Sequence, residues 1–449
     1  MNKLTKIISS AALVWLAAGT LTVWVEPAAV SAEKAPLSFT QWTEPSSTEF
    51  SHPAWTASLP TSLTEEGQQT QSRVATGEGQ VFVVENGSLI ARDASNGRQT
   101  WSFGSKLSPN IEYNQGTLYG TYDDGRVYAL SSNGTTQWVS IRTVAKPERL
   151  VTIKDTLYIL RGIDIFAFDA RSGALKWENH DPFAVSGSKE LAEQDGVVFR
   201  TYTGIANFMV TLKAFDAKTG TKLWEQSQQH IPIQVKNGLV YSVYEPNLFE
   251  EPKAELTLKT FDLKTGREKE NYLYQWSNNS ASYMHSYTSN AMIEGNNLYA
   301  YNNHELVKYD LTKYSGNSNQ PEQKITGKNH DMEKPLMKVY KDLIFYQERS
   351  ELPYSTLKSF NLSDGRTVNY GNDNPAAQID IFGNGVYIGQ TDGIFRAFDL
   401  TTGKEAFAVN TGARNYGPTE FEQGMAIIQA DNKLIGIAIP ENLKGNDRN

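Results

Sequence analysis

Apolar and polar positions alternate with a period of two over many short stretches of this chain. The clearest stretch is LKAFDAKTGTKLW, Leu212 to Trp224. An alternating run reaches Asp216, a turn carries Gly220, and a second run ends on Trp224. Period-two alternation predicts half-buried strands, and a glycine-bearing turn between two such runs predicts a hairpin. The same hairpin recurs as LIARDASNGRQTW (Leu89 to Trp101), VYALSSNGTTQW (Val127 to Trp138) and IFAFDARSGALKW (Ile165 to Trp177). It repeats again as LKTFDLKTGREKE (Leu258 to Glu270), LVKYDLTK (Leu306 to Lys313), LKSFNLSDGRTV (Leu357 to Val368) and IFRAFDLTTGKEAF (Ile394 to Phe407).

Ahead of each hairpin lies another short apolar run opened by a turn residue, such as Gly79 to Phe82, Gly196 to Phe199 or Gly238 to Tyr241. A third run, such as Ile231 to Val235, precedes that. Each unit therefore predicts four strands, A to D in chain order, with the tryptophan on D. Residues in the Asp216 slot are Asp93, Ser131, Asp169, Asp216, Asp262, Asp310, Asn361 and Asp399, spaced 38 to 51 residues apart. Four short strands at roughly 40–50 residues per unit predict the blade of an all-β propeller. No long stretch shows a 3.6-residue period, which excludes a helical solenoid. Gly424 to Ile428 and Leu434 to Ile439 read as strands B and C with no D strand after them. Trp55 sits in a D-like context near the other end, so the N-terminal strand is expected to complete the last blade and remove an open sheet edge. Counted this way there are nine blades.

Residues 1–32 predict a signal peptide: Lys3 and Lys6, an apolar stretch from Ile7 to Val25, and the small residues Val30-Ser31-Ala32 at a cleavage site. The competing reading is a membrane anchor, since the apolar stretch approaches spanning length. Residues 33–70 are rich in Ser, Thr, Pro and Glu and predict an arm that contains the closing strand. Residues 71–440 make the propeller, and 441–449 a flexible tail. Loss of Lys3, Lys6 and Glu26 moves the formal charge from −8 to −9. An acidic exported chain is poorly suited to nucleic acid. The chain has no cysteine, hence no disulfide and no thiolate metal site. A secreted or surface-associated monomer without a membrane span in its mature form is expected.

The order of a glycine-opened strand, then L-x-A-[FL]-D, then x-x-G-x-x-x-W resembles the pyrrolo-quinoline-quinone (PQQ)-like repeat β-propellers. The resemblance covers nearly everything after Gln71 and is sharpest over Leu212 to Trp224, Ile165 to Trp177, Leu89 to Trp101 and Ile394 to Phe407. It implies eight blades, against nine by direct count. Its dehydrogenase members imply PQQ stacked on a vicinal disulfide, with calcium at the funnel. Its scaffold lipoproteins imply an acylated cysteine. A chain without cysteine lacks both devices, so no cofactor is expected, with PQQ or calcium kept as the alternative.

The repeated aspartates could form an acidic ring, but their fixed place before the C–D turn predicts turn caps. Trp101, Trp138, Trp177 and Trp224 predict wedges that dock blade on blade, each burying roughly 200 Å². His52, His180, His230, His285, His304 and His330 show no metal-ligand spacing. Asp123-Asp124-Gly125 and Asn372-Asp373-Asn374 complete no calcium loop. The informative irregularity is where insertions fall. The B–C connections Thr201 to Val210, Tyr244 to Glu255 and Gln347 to Ser355 are long, as is the D–A connection Gln275 to Ser289, and all belong to one face. The last reads QWSNNSASYMHSYTS. With its lead-in it supplies Tyr272, Tyr274, Trp276, Tyr283, His285 and Tyr287, expected to be exposed rings among short polar residues. Such a surface suits a protein or a cell-wall or matrix polysaccharide. The expected function is therefore a secreted non-enzymatic binding scaffold. The alternative is a quinoprotein-type oxidoreductase or a polysaccharide-active enzyme using the funnel.

Overall fold

The computed structural model describes residues 50–63, 69–204, 209–246, 255–275, 291–302, 305–316, 321–325, 332–348, 356–371 and 374–445, all within the compact unit Thr48–Asn449. It is a nine-bladed propeller of four-stranded antiparallel sheets, with a separate two-stranded ribbon, Thr61–Leu63 with Gln69–Gln71. The literal count of nine therefore holds over the eight that the resemblance implies. Blade 1 runs Ala75–Gly77, Gln80–Glu85, Ser88–Asp93 and Gln99–Phe103. Blades 2 to 8 repeat this plan in chain order. Blade 4 divides its strand A into Ala184–Gly187 and Ala192–Gln194, both paired to Val197–Gly204.

Blade 9 holds Glu420–Glu422, Met425–Ala430 and Lys433–Ala438, and its strand D is Trp55–Ser58. Trp55 pairs with Gly436 and Ser58 with Lys433, so the ring closes through the N-terminal strand. Beyond Pro440, Glu441–Leu443 form a single 3₁₀ turn. The expected loose tail is corrected there. Leu443 is fully buried among blade 8 and 9 residues, and its carbonyl accepts the Asn384 backbone N–H at 2.8 Å. One apolar side chain next to an open seam suffices to dock the turn.

The core is divided by blade. Strand B is buried on both faces, so it reads as a nearly continuous apolar run. Val81 and Val83 pack toward Trp55 and blade 9, while Phe82 and Val84 pack toward blade 2. Among the described residues the buried hydrophobics fall into nine clusters, one at each seam between neighbouring blades.

The repeat motif now has a physical account. Trp101, Trp138, Trp177 and Trp224 each stand opposite a strand C alanine: Ala91, Ala129, Ala167 and Ala214. A small residue there leaves room for the indole. Each indole N–H crosses the seam to a backbone carbonyl just after the Asp slot of the next blade. Trp101 donates to Ser132, Trp138 to Ala170, Trp177 to Ala217 and Trp224 to Leu263, at 2.9–3.0 Å. Trp55 closes the ring identically on Ala94 at 2.8 Å. The turn glycine of the receiving blade lies beneath the indole. At Gly220 (φ +69°) a Cβ would come within 2.5 Å of the Trp177 ring. That position demands glycine twice over, for space and for left-handed backbone.

The Asp slot is a turn cap. Asp216 Oδ1 accepts the amides of Lys218 and Thr219 and the Thr219 hydroxyl. Asp93, Asp169, Asp262, Asp310, Asp399 and Asn361 do the same in their own turns. The hydroxyls of Ser95, Ser172, Thr265 and Thr312, with the turn amides, hold the Asp93, Asp169, Asp262 and Asp310 carboxyls below the usual aspartate range.

Candidate partner-binding face

Strand D of blade 5, Glu268–Gln275, leads into the long aromatic insertion. Trp276, Tyr283, His285 and Tyr287 lie outside the described residues. Tyr272 and Tyr274 do not: both are buried, and the expectation that they are exposed is corrected. Tyr274 is 1% exposed, its ring 4.3 Å from Tyr309 and 5.5 Å from Tyr314 of blade 6. Tyr272 meets Tyr314 edge-on at 4.9 Å. The physical reason is period two. Glu270, Tyr272 and Tyr274 share one side of strand D, and that side faces blade 6. Where other blades carry tryptophan opposite the strand C alanine, blade 5 has Glu270 opposite Thr260. The aromatic wedge is supplied instead by Tyr272, Tyr274 and, from the next blade, Tyr314. The Tyr314 hydroxyl accepts the Leu273 backbone N–H at 2.9 Å. Blade 5 ends at Gln275, and the described chain resumes in the next sheet, blade 6, at buried Ala291.

On the same face, which carries the B–C and D–A connections, the link from blade 3 to blade 4 presents Phe183 at 78% exposure and Val185 at 57%. The Phe183 backbone is held firmly. Its N–H donates to Asp181 Oδ1 at 3.1 Å, and Asp181 Oδ2 accepts from Lys213 Nζ on strand C of blade 4. Asp181 and Lys213 are both buried, and Lys213 lies 5.4 Å over the Tyr202 ring. Beside them Arg200, fully buried, donates to the carbonyls of Ser188, Asp164 and Gly162 at 2.8, 2.9 and 2.6 Å. The buried ion pair, through Asp181, anchors a turn that holds a large ring in water, and the guanidinium clamp lies beside it. Sequence reasoning passed over Phe183. The signal was the Asp181-Pro182-Phe183 turn, where a lone aromatic follows a residue pair that breaks strands.

His180 is paired with Asp164 at 2.6 Å, and His230 with Glu245. His52 is exposed, while His304 and His330 lie outside the described residues. Among the described residues no group of three or more His, Cys, Asp or Glu side chains could hold a metal ion. The chain has no cysteine, so the vicinal disulfide that the dehydrogenases imply cannot form. One acidic cluster sits on the innermost strands. Arg73, just before blade 1, pairs with Glu112 of blade 2 at 2.9 Å. Glu420 of blade 9 neighbours Arg73, Asp380 and Thr76. Burial pushes the Glu420 carboxyl up to about 7, with the Asp380 and Glu112 charges adding and Arg73 opposing.

A family model described as outer membrane protein assembly factor BamB matches residues 41–192 and 154–370. No curated protein matches. Among solved structures the chain is similar to the computationally designed Ika8 protein, at 14% identity over 75% of this chain and 97% of that one, TM-score 0.49. It is similar to BamB from Moraxella catarrhalis at 13% identity over 86% and 98%, TM-score 0.41. It is also similar to a europium-containing methanol dehydrogenase at 13% identity over 86% and 85%, TM-score 0.44.

Proposed function

Because the chain belongs to the PQQ-like repeat β-propeller family whose model describes an outer membrane protein assembly factor, we propose that it is an exported, non-enzymatic scaffold. It binds a partner through the face that carries the B–C and D–A insertions. The observation that carries the reading is Phe183, a large ring in solvent on a turn anchored by the buried Asp181–Lys213 pair. An exposed ring on rigid backbone costs little conformational entropy when a partner covers it. Partner-binding residues commonly stand on loops that a stiff scaffold positions. Apolar exposure favours a protein partner, with a wall or matrix polysaccharide second.

The test is capture from the surface fraction of the producing cell. The mature protein is compared with Phe183→Asp/Val185→Asp and with Trp276→Ala/Tyr283→Ala/Tyr287→Ala, each shown by thermal melt to be folded. A partner held by the native chain and lost from either folded variant supports the reading. A partner retained by both variants places the site elsewhere and overturns it. The second reading, an enzyme working at the inner strands, is favoured by one observation, the Glu420 carboxyl raised toward neutrality. Hydrolysis of a wall polysaccharide by the native chain, abolished in Glu420→Gln, would establish that reading instead.

A further inference from the structure

The seams are not alike on the opposite face, which carries the A–B and C–D turns. At the seam between blades 2 and 3, where Trp138 remains, the groove on this face measures about 390 Å³. Four blades lack the tryptophan: its slot holds Glu270 in blade 5, Gln323 in blade 6, Val368 in blade 7 and Phe407 in blade 8. Grooves of about 620 and 630 Å³ stand at two of these seams, between blades 5 and 6 and between blades 7 and 8. Both sizes fall within the range of roughly 300–1,000 Å³ typical of small-ligand sites.

The blade 5–6 groove differs from the blade 7–8 groove in its chemistry. Three tyrosines line it, Tyr241, Tyr272 and Tyr314, whereas none lines the other. The rest of its lining is mostly amides and hydroxyls, among them Gln234, Asn271 and Thr312, together with Lys236, Glu270 and Leu311. Lys236 Nζ bridges the seam to the Gly295 carbonyl at 3.3 Å and Asn296 Oδ1 at 3.2 Å, which ties the two A–B turns together. Glu270 sits at the lip. Its carboxylate accepts the Tyr272 hydroxyl and raises the Tyr241 hydroxyl pKa beyond what burial does. Flat apolar ring surface beside amides and an acidic acceptor is the complement of a sugar. C–H faces pack on the rings, and hydroxyls find both donors and acceptors.

We propose that the groove between blades 5 and 6 is a binding site for a neutral saccharide. It lies on the face away from the Phe183 turn, so it stands apart from the function proposed above. The missing indole provides the space, and Glu270 provides a hydrogen-bond acceptor in its place.

The experiment titrates the mature full-length chain with maltohexaose and with cellohexaose, by calorimetry and by saturation-transfer NMR. One of them is expected to bind with a Kd of about 1 mM or tighter, weakened about tenfold or more by Glu270→Lys. Glu270 is exposed, so this change leaves the fold intact. Tyr241→Ala is expected to weaken binding similarly, and Phe183→Asp to leave it unchanged. The proposal is overturned if neither hexasaccharide binds, or if binding survives Glu270→Lys. Binding of N-acetyltryptophanamide in place of both sugars would also overturn it. That outcome would mark the groove as an indole slot for a partner's tryptophan.

Discussion

A single side chain pair, Trp177 and Gly220, shows how the ring is held, because each is specified by the other across a seam. Trp177→Ala removes a buried indole and is expected to cost about 3–5 kcal/mol. Trp177→Phe keeps the ring but orphans the Ala217 carbonyl, for about 1 kcal/mol. Gly220→Ala meets both the left-handed backbone and the indole. Placed on the Trp177→Ala background it meets only the backbone, about 1–2 kcal/mol. The double-mutant cycle should therefore be strongly non-additive, and additivity in denaturant melts would refute the contact. Arg200 works at the same scale. Arg200→Met leaves three carbonyls without this donor, that of Asp164 buried and those of Ser188 and Gly162 half-buried, and should cost on the order of 3 kcal/mol.

At the scale of strands, ring closure depends on Trp55–Ser58. Without that strand, Lys433–Ala438 would present an apolar edge, and exposed edges recruit other chains. A chain lacking residues 50–58 is expected to melt at lower temperature and to elute as soluble aggregate in size-exclusion chromatography. A monomer with native melting would refute the closure. This closing strand was legible because Trp55 repeats the D-strand context without its hairpin. The nine-blade count was legible because Asp, Gly and Trp recur at positions that one seam geometry imposes. The inward turn of Tyr272 and Tyr274 was harder to see. Their alternation with Leu273 was visible, but which side faces a neighbouring blade depends on register with strand C. The Glu270 replacement was visible in LKTFDLKTGREKE, yet the groove it leaves depends on where Tyr314 returns from the next blade. Phe183 carries no period at all, and its turn is anchored through Asp181 by Lys213, a partner 32 residues further along the chain.

The whole ring brings the innermost strands of nine blades together, and there distant acids meet. Glu420 and Glu112, from blades 9 and 2, both interact with Arg73, and Asp380 of blade 8 adds its charge beside Glu420. Burial raises Glu420 from an ordinary 4.5 to about 7. The folded state therefore holds this proton more tightly than the unfolded chain. By linkage, the stability this group contributes is fully present below about 4.5 and is lost as pH rises through about 7. The turn aspartates act in the opposite sense, since their depressed carboxyls lose stability as pH falls. They are common to native chain and variant and cancel in the difference. Glu420→Gln removes the charge that burial opposes. It should be more stable than the native chain at pH 8, by on the order of 3 kcal/mol, and the gain should shrink steadily toward pH 5. Paired thermal melts across that range check it, and a stability difference that does not change with pH would show that the carboxyl titrates near its ordinary value.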